Sequence, residues 1–377
     1  MNGSVLTSMT ATINNMTRIA LLTSSITTGD AVSNDVIGMY NVLLERGHEV
    51  RIYADGVAIT NPKVWPTSKI KRFISDESGL LIYHYAIGWD AGLEILRELG
   101  CKTVIKYHNV TPPDFFTRFS EAHVLMSHGG RKQLQDIAQA RCDLYLSDSE
   151  YNMRELLAEG AHERINAVVP PFHHIDRLNS VEPDPKILET YQDGASNVLM
   201  VGRVAPHKGH AELIEAFANY YYHYNSNSRL LIVGKEDVAF KSYYNLLREM
   251  VACLKLQGAV VFTGGVTDEA LKAYYMTAHV FLITSQHEGF CVPLVEAMAM
   301  KVPIVAYSSS AIPGTLGAAA LVWPERNPNL VAESINMIVS DEQVSGGLGL
   351  LGWRRYQQMF SNEKIEQLFI NTLSGLL

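Results

Sequence analysis

The sequence predicts an α/β protein made of two doubly wound, Rossmann-like domains that face each other across a cleft. Short apolar runs rich in β-formers alternate with helical patterns along the whole chain. Runs of this kind, bounded by turn residues, indicate parallel sheets covered by helices on both faces. The 377 residues, 47% of them hydrophobic, suffice for two cores of ordinary size. A polar connector, Glu182-Pro183-Asp184-Pro185, falls near the middle.

In chain order, strands are expected at 18–25, 49–55, 80–86, 102–109, 144–149 and 166–172. The second half offers 197–204, 229–235, 260–266, 280–286, 303–309 and 319–323. Val36, Ile37, Tyr40, Leu43 and Leu44 recur at helical spacing after Ser33 and Asn34, with Gly47 as a stop. Leu213, Ile214, Phe217 and Tyr221 repeat that logic. Ser345-Gly346-Gly347-Leu348-Gly349 reads as a break before a last helical stretch starting at Trp353. The expected domains are 17–185 with 353–377, and 186–352.

Composition excludes several classes. The net charge of −8 is spread, with 17 basic and 22 acidic residues in 1–185 and 14 and 17 in the rest. Neither half is built to track a nucleic-acid backbone. The run from Lys63 to Phe73 mixes positive charge with aromatics and reads as a solvated loop, with a membrane or acceptor contact as its alternative. No apolar run is long enough to span a bilayer. Residues 1–15 lack the basic start and apolar middle of a secretory signal, and Met16 is a candidate start. Cys101, Cys142, Cys253 and Cys291 show no close pairing, which fits a reduced cytoplasmic protein without a cysteine metal site.

The most informative stretch runs from Glu288 through Gly289, Phe290, Cys291, Val292, Pro293, Leu294 and Val295 to Glu296. Pro293 suits the first helical position, and the residues after it are good helix formers. The helix start then offers free amides and a positive dipole end to a phosphate. Gly289 permits close approach of a ligand to the backbone. Glu288, before the helix, can face the reacting end of an extended ligand while Glu296 holds a distant hydroxyl pair. A nucleotide sugar has that layout. The helix start also favours a Cys291 thiolate, open to maleimide.

Gly202-Arg203-Val204-Ala205-Pro206-His207-Lys208-Gly209 follows the first strand of the second half. Arg203 and Lys208 flank a tight turn, where a guanidinium and an ammonium can together stabilise a departing diphosphate. A charged surface loop is the competing reading. Dinucleotide and P-loop fingerprints are absent, as is an Asp-x-Asp for a divalent ion. His173-His174 reads as a loop pair and not as metal ligands. His108 ends a first-half strand and is expected to point into the cleft, toward a sugar hydroxyl. Gly29 is expected to let the backbone approach a phosphate or acceptor.

Glu288 and Glu296 at this spacing, the Gly202–Gly209 element and His108 together resemble family 4 retaining glycosyltransferases of GT-B fold. Val261 to Leu271 and Leu146-Ser147-Asp148-Ser149 support the resemblance, which covers all but about the first fifteen residues. It implies that Arg203 and Lys208 hold the donor diphosphate, Glu296 the ribose and Glu288 the hexose. It implies main-chain contacts from Gly289 through Leu294, a border to the base at Gly265 and Val266, and closure by His108 and Gly29. It implies UDP-glucose as donor, a glycan or lipid-linked acceptor, and neither cofactor nor metal. Cys291 stands where the family often has glycine, and Gly314 where it commonly has an acid. A nucleotide-sugar epimerase and a non-catalytic nucleotide-sugar-binding protein are the alternatives.

Overall fold

The computed structural model describes residues 16–74 and 76–377. The reading of the N-terminus as no secretory signal falls on residues outside that set.

The first half forms β1 (Arg18–Leu22), β2 (Ser25–Ile26), β3 (Glu49–Tyr53), β4 (Gly56–Val57), β5 (Val64–Trp65), β6 (Leu80–Tyr85), β7 (Lys102–Tyr107), β8 (Leu144–Ser147) and β9 (Asn166–Val168). Seven of these make one sheet in the order β5-β3-β1-β6-β7-β8-β9, and β2 pairs with β4 beside it. The second half forms β10 (Ser196–Val201), β11 (Ser228–Val233), β12 (Val260–Gly264), β13 (Val280–Ile283), β14 (Ile304–Tyr307) and β15 (Leu321–Trp323), ordered β12-β11-β10-β13-β14-β15. All pairings are parallel. Strand order reverses beside β1 and beside β10, so each domain has a crevice at the carboxyl ends of its central strands.

Each expected strand is present; most are trimmed, and β10 and β11 begin one residue earlier than expected. The residues lost from each run form the loops that carry the site. The run from Lys63 to Phe73 is not a solvated loop. It holds edge strand β5 and a short helix, Ile70–Phe73, whose Ile70 and Phe73 are buried. Its four cations stay exposed, with Lys63 Nζ 3.9 Å from the Trp65 centroid, while Arg51 of β3 lies 4.1 Å from that of Phe73.

The first helix, Ala31–Glu45, starts ahead of Ser33, because the Asp30 carboxylate accepts the Ser33 amide and caps it. Gly47 ends it with φ 87°. The glycines of 345–349 make no break. They lie inside the helix Glu342–Arg355, where a Cβ on Gly349 would meet the Lys301 carbonyl at 2.4 Å. Gly349 thus allows a close approach to the end of the helix before Lys301, whereas Gly346 and Gly347 face open space.

The domain junctions differ from the expected 185 and 353. Ile175 and Leu178 pack in the second domain's core, as do Tyr356 and Phe360. The chain crosses back at Ser361, and the last helix, Asn362–Leu373, inserts Ile365, Phe369 and Leu373 into the first domain's core. His173 anchors this return, donating from Nε2 to the Phe360 carbonyl at 2.7 Å.

Candidate functional site

The carboxyl ends of the two central sheets touch. Ser149 Oγ donates to the Gly289 carbonyl at 2.7 Å, and His287 Nε2 meets Asn109 Oδ1 at 2.6 Å. A Cβ on Gly289 would lie 2.8 Å from the His108 carbonyl and 2.7 Å from Asn109 Cβ. The smallness of Gly289 therefore serves the approach of the first domain. A second contact lies beyond it. Phe116 stacks on Phe240 at 5.5 Å and Phe119 meets Tyr243 edge-on at 5.0 Å, placing a first-domain segment in the second domain's core.

Behind this contact β10 opens into the turn with Arg203 and Lys208. Gly202 gives its amide to the Val233 carbonyl. Gly209 turns with φ 68°, and a Cβ there would meet the Thr284 carbonyl at 2.1 Å, so only glycine fits. The turn aims Lys208 Nζ at Glu288, 2.7 and 2.8 Å from its two oxygens. Glu288 is buried and fixed through its backbone, its amide donating to Ser310 Oγ at 2.7 Å. Arg203 is exposed on the same turn. Lys208 and Glu288, expected to hold different parts of a ligand, are thus joined to each other.

The helix after Glu288 runs Val292–Ala299, one residue earlier than expected. Among the described residues, the amides of Gly289, Phe290, Cys291 and Val292 have no protein acceptor, whereas Leu294 gives its amide to the Cys291 carbonyl. Pro293 has no amide hydrogen to give. The expected main-chain cradle therefore narrows to residues 289–292. The side chains of Phe290, Cys291 and Leu294 point into the core.

Cys291 is buried at φ 76°, a conformation that favours glycine. Burial and the nearby Glu288 push its thiol well above the ordinary value. This overturns the expected thiolate. Maleimide treatment of the folded protein should modify exposed Cys253 and spare Cys291, with or without nucleotide. Peptide mass spectrometry reads the sites, and equal labelling of both would contradict the buried placement.

Glu296 lies on the same helix, 3% exposed. Tyr275 Oη donates to Oε2 at 2.6 Å, and His174 Nε2 is 3.7 Å from Oε1. Burial raises the Glu296 carboxyl, and His174 and Tyr275 pull it back down. The sequence pattern makes His174 a loop residue and gives Tyr275 no distinction. The only sequence signal for His174 was its place in the chain leaving the first domain.

His108 does not present a free ring nitrogen to the cleft. Nδ1 meets Asp148 Oδ2 at 2.9 Å and Nε2 meets His84 Nδ1 at 2.9 Å, with the ring 3% exposed. Its carbonyl, beside Gly289, is what reaches the other domain. Beneath the ring Lys106 Nζ lies 2.7 Å from Asp148 and 3.9 Å from Asp35. Burial raises the Asp35 carboxyl to about 6 against the pull of Lys106 and His108. Burial acts likewise on Asp148, but His108 and Lys106 hold it below the ordinary value. Donor atoms of Asp35, His84 and His108 lie within 4.8 Å of one another, the one group of metal-ligand spacing among the described residues. The Lys106 ammonium already supplies positive charge there.

Gly29 sits exposed at φ 76° with open space where a Cβ would be, just before the Asp30 cap. Gly265 follows β12 against the Lys235 side chain, and Val266 packs on the second domain's core. Gly314, where an acid was the family expectation, gives its carbonyl to Arg355 at 2.7 Å.

Residues 189–348 match the family described as Glycosyl transferases group 1. The second domain matches this family. Mannosylfructose-phosphate synthase of Agrobacterium fabrum is 29% identical over 180 residues, 46% of this chain and 40% of that protein. A GDP-mannose-dependent alpha-(1-6)-phosphatidylinositol monomannoside mannosyltransferase of Mycobacterium tuberculosis is 27% identical over 198 residues, 49% of each. The chain thus spans less than half the length of these curated relatives. Among solved structures, Anabaena HepE in complex with UDP and glucose superposes with a TM-score of 0.74 at 16% identity, covering 95% of this chain and 100% of that one. Sucrose-phosphate synthase from Thermosynechococcus elongatus gives 0.75 at 18%, covering 96% and 99%. The fold is that of GT-B glycosyltransferases. No helix of the described residues is long and apolar enough to cross a membrane.

Proposed function

We propose that this chain is a retaining, metal-independent hexosyltransferase of the glycosyl transferases group 1 family. It moves a hexose, glucose from UDP-glucose as the first choice, onto a growing glycan or lipid-linked acceptor in polysaccharide biosynthesis. The observation that carries the reading is the Lys208–Glu288 pair beside the unpaired amides of residues 289–292. Glu288 neutralises Lys208 across their ion pair. A diphosphate arriving at the helix start takes over the ammonium and is held also by the amides and Arg203. Glu288, released, accepts hydroxyls of the hexose. As the bond between the anomeric carbon and the diphosphate breaks, negative charge grows on the leaving group, where these positive groups stabilise it most.

UDP and glucose in the Anabaena neighbour support a nucleotide-sugar donor, and GDP-mannose in the mycobacterial relative makes GDP-mannose the second donor to test. The finer reading is a transferase of the kind that builds the cyanobacterial heterocyst envelope. It would work in the cytoplasm against acceptors at the inner membrane face, with peripheral contact. A screen of UDP- and GDP-sugars with glycan and lipid-linked acceptors, following nucleotide release and product linkage, tests the proposal. Release of nucleoside diphosphate with an α-linked product, unchanged by EDTA, is expected. Interconversion of sugar nucleotides without release would identify an epimerase, and magnesium-dependent transfer would remove metal independence.

A further inference from the structure

His174 bridges the two domains at the acid expected to hold the ribose. It lies in the chain leaving the first domain, between the Phe360 anchor at His173 and the second-domain residue Ile175. Asn34, on the helix Ala31–Glu45, places Nδ2 3.2 Å from His174 Nδ1. An amide NH2 can only donate, so Nδ1 accepts and the neutral ring carries its hydrogen on Nε2. That nitrogen faces Glu296 Oε1 at 3.7 Å. At that separation the N–H faces Oε1 as a dipole that favours the ionised carboxylate, while leaving Oε1 room for a ligand hydroxyl. Tyr275 already occupies the other oxygen.

Glu296 therefore meets two requirements that conflict. It must be ionised to accept two ribose hydroxyls, yet its burial disfavours the charge. Among the described residues, His174 is the one cationic or ring N–H group within ion-pair distance of it. We propose that His174 is a positioning residue of the donor site, which keeps Glu296 ionised and aimed at the ribose. Asn34 fixes its tautomer and so links ribose recognition to the first domain. The inference rests on the reading of Glu296 given above.

The test is calorimetry with UDP and with 2′,3′-dideoxyuridine diphosphate, or the guanosine pair if the wild type binds GDP instead. Wild type should prefer the ribonucleotide. His174→Ala should weaken it about tenfold, the effect of one interaction with a charged group, and leave the dideoxy ligand within about twofold. His174→Gln, which keeps a donor, should recover part of the loss, and Asn34→Ala should show a smaller loss of the same selectivity. Equal weakening of both ligands, or unchanged preference in His174→Ala, overturns the role of His174 while leaving the donor site intact. A wild type that binds neither diphosphate, or that ignores the ribose hydroxyls, overturns the reading of the site and this inference with it.

Discussion

Lowering the pH from 7 to 5 is expected to destabilise this protein. Five histidines, His84, His173, His207, His210 and His287, are each no more than 7% exposed. Burial depresses all five: His173 to about 4, His210 and His287 to about 3, and His84 and His207 well below the ordinary value. Cations next to His207, Lys208 and Arg203, add to its depression. A depressed histidine stabilises the fold fully above its unfolded pKa of about 6.5 and loses that contribution as pH falls toward its folded value. Each refuses a proton that the unfolded chain accepts, which costs about 1.4 kcal/mol per pH unit below about 6. Asp35 acts in the opposite sense. Raised to about 6, its contribution is present below the ordinary carboxylate pKa and is lost as pH rises through about 6, so it offsets one histidine.

Glu296, which burial also raises, opposes the histidines in the same sense as Asp35, and the net expectation is a loss of stability as pH falls below about 6.5. Circular dichroism and urea titration between pH 7.5 and 4.5 should show that loss. His210 has neither ring nitrogen bonded, so His210→Phe should reduce the slope by about one proton. A stability that stays level from pH 7 to 5 would contradict the neutral burial of these rings.

The second large effect lies at the ion pair. Lys208→Ala should lower turnover roughly a hundredfold or more, because the ammonium acts on charge that grows in the transition state. It should also destabilise the donor-free protein, since Glu288 would remain buried without its cation, at a cost of about 3 kcal/mol. Glu288→Gln should separate the two roles. With its counter-charge gone, Lys208 should bind the free nucleoside diphosphate at least as tightly as in wild type, while turnover falls about a hundredfold. Calorimetry beside steady-state rates distinguishes these effects. A Glu288→Gln variant that bound nucleotide weakly yet transferred at the wild-type rate would reverse the assignment.

Much of this molecule is legible in its residues. Strand burial on both faces demands continuous apolar runs, so the expected strands 80–86 and 197–204 overlap β6 and β10 without any partner in view. The helix start after Glu288 follows from Pro293 and the good helix formers beyond it, because capping and propensity act within one turn. Helix packing was less legible. Gly346, Gly347 and Gly349 have the composition of a break, yet all three lie inside one helix, and Gly349 packs closely on the Lys301 backbone.

By itself, then, the sequence determined the two parallel sheets, the positions of their carboxyl-end loops, and the residue types those loops present. These are local properties, set by period, turn chemistry and burial of each segment. Only the tertiary structure decided what those residues do to one another. Lys208 and Glu288 are 80 positions apart and form one ion pair. His108 is held between Asp148 and His84, leaving its carbonyl to face Gly289. Cys291 is sealed in the core, and Glu296 receives its counterpart from His174, 122 positions before it. Pairing and burial depend on which loops the packed domains bring within a few ångströms, and no pattern along the chain encodes that distance.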